Sequence, residues 1–224
     1  MKNQYSTREA LAAAIYAFKT NGNTVVKDMY GSGHEDKFPN KAYLLKHFVD
    51  TNVCVELNNF EITEELLVEA DAVKQQLEYI ITMSALTQGR LNLFITNCAE
   101  LIAQDTVNAK SFGTLVWVPK IVFDNERQTA AKLTIASMEH SSKYIGKVNQ
   151  RVELHFNLIE KRYIGRINCW AAYGNTNEGN LVRFLTKHEA LCVTGQIKGR
   201  IKATDKDSYH GNAQVTSLNH VKKL

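Results

Sequence analysis

The hydrophobic period of this chain changes near residue 140, and that change constrains the fold more than any other feature. Before it, apolar residues recur at three- and four-residue spacing, the period of a helix buried on one side. Leu11, Ala14, Ile15 and Phe18 follow it, and so do Leu66, Leu67, Ala70, Val73, Leu77, Ile80 and Ile81. After it, Val152, Leu154, Phe156 and Leu158 alternate with Glu153, His155 and Asn157, the two-residue period of a half-buried strand. The two periods in succession predict an α+β chain, with a mainly helical domain over 1–140 and a strand-built domain over 143–224.

Within the helical part, Thr7 is the expected N-cap of a first helix that Gly22 and Asn23 end. Residues 30–37 read as a polar surface loop running into Pro39, without the Gly-Lys-Ser/Thr of a phosphate-cradling loop. Thr63 opens a long helix whose first carboxylates, Glu64 and Glu65, suit the positive end of the helix dipole; Gly89 is its natural stop. Leu91, Phe94, Ile95, Cys98, Leu101 and Ile102 give a further helical pattern. The apolar run Phe112 to Pro119 places Trp117 in the core, and a last helix over Asn125 to Ile135 fades into a polar connector, residues 138–142. No chemistry is legible in this part.

Five strands are expected after the connector. The first carries Val152 to Leu158, the second runs from Ile167 to Tyr173, and the third from Leu181 to Thr186. Residues 174–180 between the last two are almost purely turn-forming. Lys187 to Leu191 reads as a short helical turn, Cys192 to Ala203 as a fourth strand bent at Gly195 and Gly199, and 204–212 as a polar loop before a fifth strand, Ala213 to Val221. Five short strands with a helical turn between the third and fourth give a five-stranded OB-type β-barrel. An SH3-type barrel is the rival topology, and the break at Lys187 to Leu191 disfavours it.

Charge follows the same division. Residues 1–136 carry 13 Lys and Arg against 16 Asp and Glu, a net of −3; residues 137–224 carry 14 against 7, a net of +7. The basic part is the candidate for phosphate contact, with an ordinary solvated surface as the alternative. Cys54, Cys98, Cys169 and Cys192 lie far apart with no C-x-x-C, which argues against a zinc ribbon or a disulfide frame and suits a reducing compartment. No bilayer-length apolar run or signal-peptide stretch is present, so a cytoplasmic protein without membrane contact is expected. The absence of H-E-x-x-H, G-x-S-x-G or a workable acidic pair points away from catalysis, a metal or a cofactor.

Sequence-tolerant binding of a single strand needs cations along a groove and flat side chains on which unpaired bases stack. The basic part supplies Tyr163, Trp170, Tyr173, Phe184 and Tyr209, interleaved with Arg162, Arg166, Arg183, Lys198, Arg200 and Lys202. OB barrels bind through the second and third strands and the loops between strands one and two and between four and five. Tyr163 and Arg166 are expected in the first of those loops, Lys206 and Tyr209 in the last, and Trp170 and Arg183 on the middle strands. Alternation separates Asn168, Trp170 and Ala172 from Ile167, Cys169, Ala171 and Tyr173. The first set, the less apolar, is expected to face outward, making Trp170 a stacking platform. Phe184 is expected in the core with Arg183 outward, and Lys198, Arg200 and Lys202 on one solvent side.

The run Tyr144-Ile145-Gly146-Lys147-Val148-Asn149-Gln150-Arg151-Val152-Glu153-Leu154 resembles the opening of a domain common in bacteriophage genomes. Tyr209, Gly211, Gln214, Thr216, Leu218, Val221 and Lys222 are similar to its end, with Val215 as one extra residue. Residues 89–94, Phe112-Gly113 and Pro119-Lys120 are similar to its helical companion. The resemblance implies a bacteriophage protein of the single-stranded-DNA-binding type with a C-terminal OB domain, working in DNA replication or recombination of the host cytoplasm. RNA binding and a structural role of the barrel in protein contacts are the alternatives. Many such proteins end in an acidic tail, whereas this chain stops at Val221-Lys222-Lys223-Leu224. Homo-oligomer or replication-protein contacts are therefore expected through the helical part, whose apolar-faced helix at 63–88 suits pairing with a second copy.

Overall fold

A computed structural model of the chain describes residues 4–27, 37–49, 57–86, 92–207 and 212–224. The chain divides into two compact units, Met1–Glu126 and Arg127–Leu224.

The first unit is helical. Strand β1 (Gln4–Ser6) runs directly into α1 (Thr7–Thr20), followed by α2 (Asn40–Val49), α3 (Glu64–Leu86), α4 (Leu93–Ile102), β2 (Thr106–Asn108), α5 (Phe112–Leu115) and the start of α6 (Val118–Ser137). Ala10 to Ile15 and Ala17 of α1 are all buried, the pattern of a helix enclosed by neighbours, and α2 and α3 pack against it. Ser6 rather than Thr7 caps α1: its Oγ accepts from the Glu9 N–H at 3.4 Å. The start is set by β1, which pairs with β2 and brings the Thr7 N–H to the Asp105 carbonyl at 3.0 Å. Pro119 sits in the first turn of α6, where a missing N–H costs nothing, so the apolar run and the last helix merge into α5 and one long α6. Buried Asn40 accepts from the Val26 N–H at 2.7 Å and from Asn21 Nδ2 at 2.9 Å.

The second unit is a closed barrel of β3 (Arg151–Ile164), β4 (Cys169–Asn175), β5 (Leu181–Thr186), β6 (Gly195–Asp207) and β7 (Ala213–Lys223). The order is β3-β4-β5-β7-β6, and β6 returns to pair with β3; the β5–β7 pair is parallel and the other four are antiparallel. With a 3₁₀ turn at Glu189–Leu191 between the third and fourth strands, this is the expected OB-type barrel. Its interior holds Phe156, Ala172, Val182, Phe184, Ile197, Ile201 and Leu218, with the two phenyl rings 5.2 Å apart. Leu181, Ala213 and Val215 are buried on the other side of the sheet, under Ile135 at the end of α6 and Met138 just after it.

The first strand runs on to Ile164, the second starts at Cys169 rather than Ile167 and the fourth at Gly195 rather than Cys192; two further limits differ for reasons of packing and pairing. Gly174 belongs to β4 rather than to a turn, opposite Leu158 and Val182. A Cβ there would collide with the Asn157 carbonyl and lie 2.5 Å from the Phe156 ring, so glycine permits the strands to close over that ring. Thr204 to Asp207 continue β6, paired with Thr216, Val215, Gln214 and Ala213. Their polarity suggested a loop, yet Asp205 and Asp207 have partners on β5 and β4.

Candidate nucleic-acid interface

The β3–β4 hairpin carries the first group of candidate residues. Its last registered pairs are Tyr163 with Trp170 and Ile164 with Cys169, joined through the 3₁₀ turn Gly165–Ile167 and Asn168. Asn168 lies at φ 48°, a left-handed conformation that asparagine tolerates. Its Oδ1 accepts from the Tyr163 hydroxyl at 2.6 Å, which orients the tyrosine ring. Tyr163 is therefore a strand residue beside the turn, 49% exposed, with its ring 5.3 Å from that of Trp170. Lys161 Nζ lies 5.7 Å from the Trp170 ring and 2.8 Å from Glu189 Oε1. Arg162 and Arg166 are exposed and form no ion pair within 4 Å among the described residues.

Trp170 corrects the expected faces of β4. It packs partly buried against the barrel core in the same alternating set as Ala172 and Gly174, while Ala171 and Tyr173 face outward. Comparing the apolar character of the two sets misled, because the inner one is small. Phe156 and Phe184 fill the interior and leave room there only for alanine and glycine. Trp170 is thus a half-buried lid residue at the barrel end, and the more exposed ring of the pair is Tyr163.

Tyr173 and Arg183 form a second group on the outer face. Arg183 Nε donates to Ser217 Oγ at 2.8 Å, and its terminal nitrogens reach the Tyr173 hydroxyl at 3.1 Å, Asp205 Oδ2 at 3.2 Å and Asp207 Oδ2 at 3.4 Å. The Tyr173 hydroxyl donates to Asp207 Oδ2 at 2.7 Å. Burial opposes the Arg183 charge, but the phenol and the two carboxylates outweigh it and raise its pKa. Burial raises the Tyr173 pKa too. Arg183 faces outward and Phe184 is 2% exposed, both as expected. The guanidinium is nonetheless engaged by this chain's own acids, which the distant positions of Asp205 and Asp207 in sequence did not reveal.

Lys198, Arg200 and Lys202 are all exposed on β6, the solvent side expected of them. Strand order sets β6 between β3 and β7, so these three are not neighbours of β4 or β5. Lys206 is exposed at the end of β6 opposite Gln214, in the strand rather than in a loop, and Tyr209 lies outside the described residues. The candidates thus fall into a hairpin-end group, a self-paired outer network and a cationic strip. Lys161 and Asn168 belong with the first group and were missed. The signal for them was the two-residue step from Lys161 to Tyr163 and the Gly-Arg-Ile-Asn turn.

Among the described residues no cluster of His, Cys, Asp and Glu is placed to hold a metal ion, and no helix is long and apolar enough to cross a membrane. No protein-family model, curated protein or solved structure matches the chain, so its fold and these three groups of side chains carry the functional reading.

Proposed function

We propose that this chain is a non-catalytic single-stranded-DNA-binding protein acting in phage-type replication or recombination, with the barrel as the binding unit. The supporting observation is the hairpin end: a half-exposed Tyr163 ring against Trp170, with Lys161 beside the Trp170 ring and, in the adjoining turn, an exposed Arg166 without an ion-pair partner among the described residues. Unpaired bases stack on such rings for about 1–3 kcal/mol each, and the cations beside them take the phosphates. The apolar face of α3 read from the sequence, with Ala70 and Leu77 buried, packs into the helical unit's own core, so contact with a second copy falls to the exposed Tyr79 and Leu86.

Titration of the full chain with a fluorescent oligothymidylate at increasing salt tests the reading. Binding is expected to weaken steeply, with a log–log slope of about −0.7 for each phosphate neutralised. Tyr163→Ala should weaken it roughly 5- to 150-fold, and the unfolding midpoint of the variant checks that its barrel stays folded without the contacts to Asn168 and Trp170. Salt-insensitive binding, or equal affinity of the variant, overturns the proposal. Tighter binding of the matched RNA makes RNA the ligand.

A further inference from the structure

Two rows of side chains run across the outer face of β3, β6 and β7: Glu153–Lys198–Lys222 and Arg151–Arg200–Asn219. Arg151 stands directly opposite Arg200, and Lys198 directly opposite Lys222; all four are exposed. Like charges facing one another across a sheet destabilise it. None of the four forms an ion pair within 4 Å among the described residues, and Arg200 donates to a neutral acceptor, the Asn149 carbonyl, at 3.2 Å. Glu153 is the one carboxylate in these two rows. Lys202, on the bulge just beyond, adds a fifth cation. Such an array is relieved by a polyanion, and by the densest one most.

Neither row contains an aromatic side chain, so the paired positions themselves offer no ring for an unpaired base to stack on. It also lies far from the hairpin end. Arg151 and Tyr163 are at opposite ends of β3, twelve residues apart, or up to about 40 Å along the strand at ~3.3 Å per residue. A duplex of about 12 steps at 3.4 Å each is no shorter than that separation, and a tail leaving the strip has to cover it to reach Tyr163. A duplex turns its bases inward and carries one charge per ~1.7 Å of axis, twice the density of either strand by itself. It therefore suits a face with cations and no rings, whereas the hairpin end needs exposed bases.

We propose that the cationic strip of β3, β6 and β7 holds the phosphates of a duplex, so that the preferred ligand is a single strand continuing from a duplex. This rests on the reading of the hairpin end as the single-strand contact. The test compares three DNA ligands on the full chain: a single-stranded tail, a blunt duplex of at least 12 base pairs, and the same duplex bearing the tail. The tailed duplex is expected to bind about tenfold or more tighter than the tail. In Lys198→Gln/Arg200→Gln most of that gain should vanish and the log–log salt slope on the tailed duplex should become shallower by about two, with tail binding kept. Tail binding without any gain from the duplex overturns this proposal alone. Equal weakening of tail and tailed duplex by the double variant also overturns it, because the strip would then contact the single strand. Failure of the tail to bind at all overturns the single-strand reading and this one with it. The wild-type comparison needs no variant, and the thermal midpoint of the double variant checks that its barrel is intact.

Discussion

The Arg183 guanidinium is bonded at once to Tyr173, Asp205, Asp207 and Ser217, and the Asp207 side chain is only 2% exposed. A cation held this way has little left for a phosphate, and its removal would leave a buried carboxylate behind. Arg183→Ala is therefore expected to lower barrel stability by about 2–3 kcal/mol, the worth of hydrogen bonds to charged groups, while changing DNA affinity little. Urea unfolding beside an oligonucleotide titration reads both. Cys98 gives a pH prediction for the first unit. Burial pushes its thiol from 9.0 up to about 11. The unfolded chain loses that proton first, so this contribution to stability is intact below pH 9 and is lost as pH rises towards 11. Urea midpoints of the wild type should fall over that range more than those of Cys98→Ala. Trp170 and Tyr163 were both recognisable as candidate aromatics. Which of them is exposed depended on the size of the inward-facing Ala172 and Gly174, and that is a property of packing.

Gly174 governs how the hairpin elements meet. With the Asn157 carbonyl and the Phe156 ring in the way of any Cβ, Gly174→Ala must push strands β3 and β4 apart or shift that ring. A loss of about 1–3 kcal/mol is expected, the usual range for overpacking, and thermal unfolding of the variant measures it. In the helical unit, Asn40→Ala takes from the Val26 N–H its acceptor and from Asn21 Nδ2 one of two, and should cost about 1–3 kcal/mol by the same measurement. Long elements were legible: α3 starts one residue after Thr63, and β5 spans the expected Leu181–Thr186. β1 and β2, three residues each, were not, because no period can show in so short a run. The end of β6 was read as a loop because its acids are satisfied by Tyr173 on β4 and Arg183 on β5, a relation local composition does not carry.

At the scale of the whole chain, an acidic helical unit and a basic barrel divide the work proposed for them. If α3 pairs with a second copy, the mass in solution should be twice 25.3 kDa, and Tyr79→Glu/Leu86→Glu, both at exposed positions, should return it to the monomer. Sedimentation at several protein concentrations distinguishes the two. The order of helical and alternating periods, the strand count and the concentration of cations after residue 136 sufficed to define an α+β chain with a basic OB-type barrel, because periodicity and charge are properties of neighbouring residues. Which side chains share a surface was decided only by closure of the barrel. Pairing β6 with β3 and β7 set Lys198 and Arg200 beside Arg151 and Lys222, and pairing β5 with β4 and β7 set Arg183 among Tyr173 and Ser217, within reach of Asp205 and Asp207. Contacts of that kind join residues 10 to 49 positions apart, and only the register of the closed sheet brings them together.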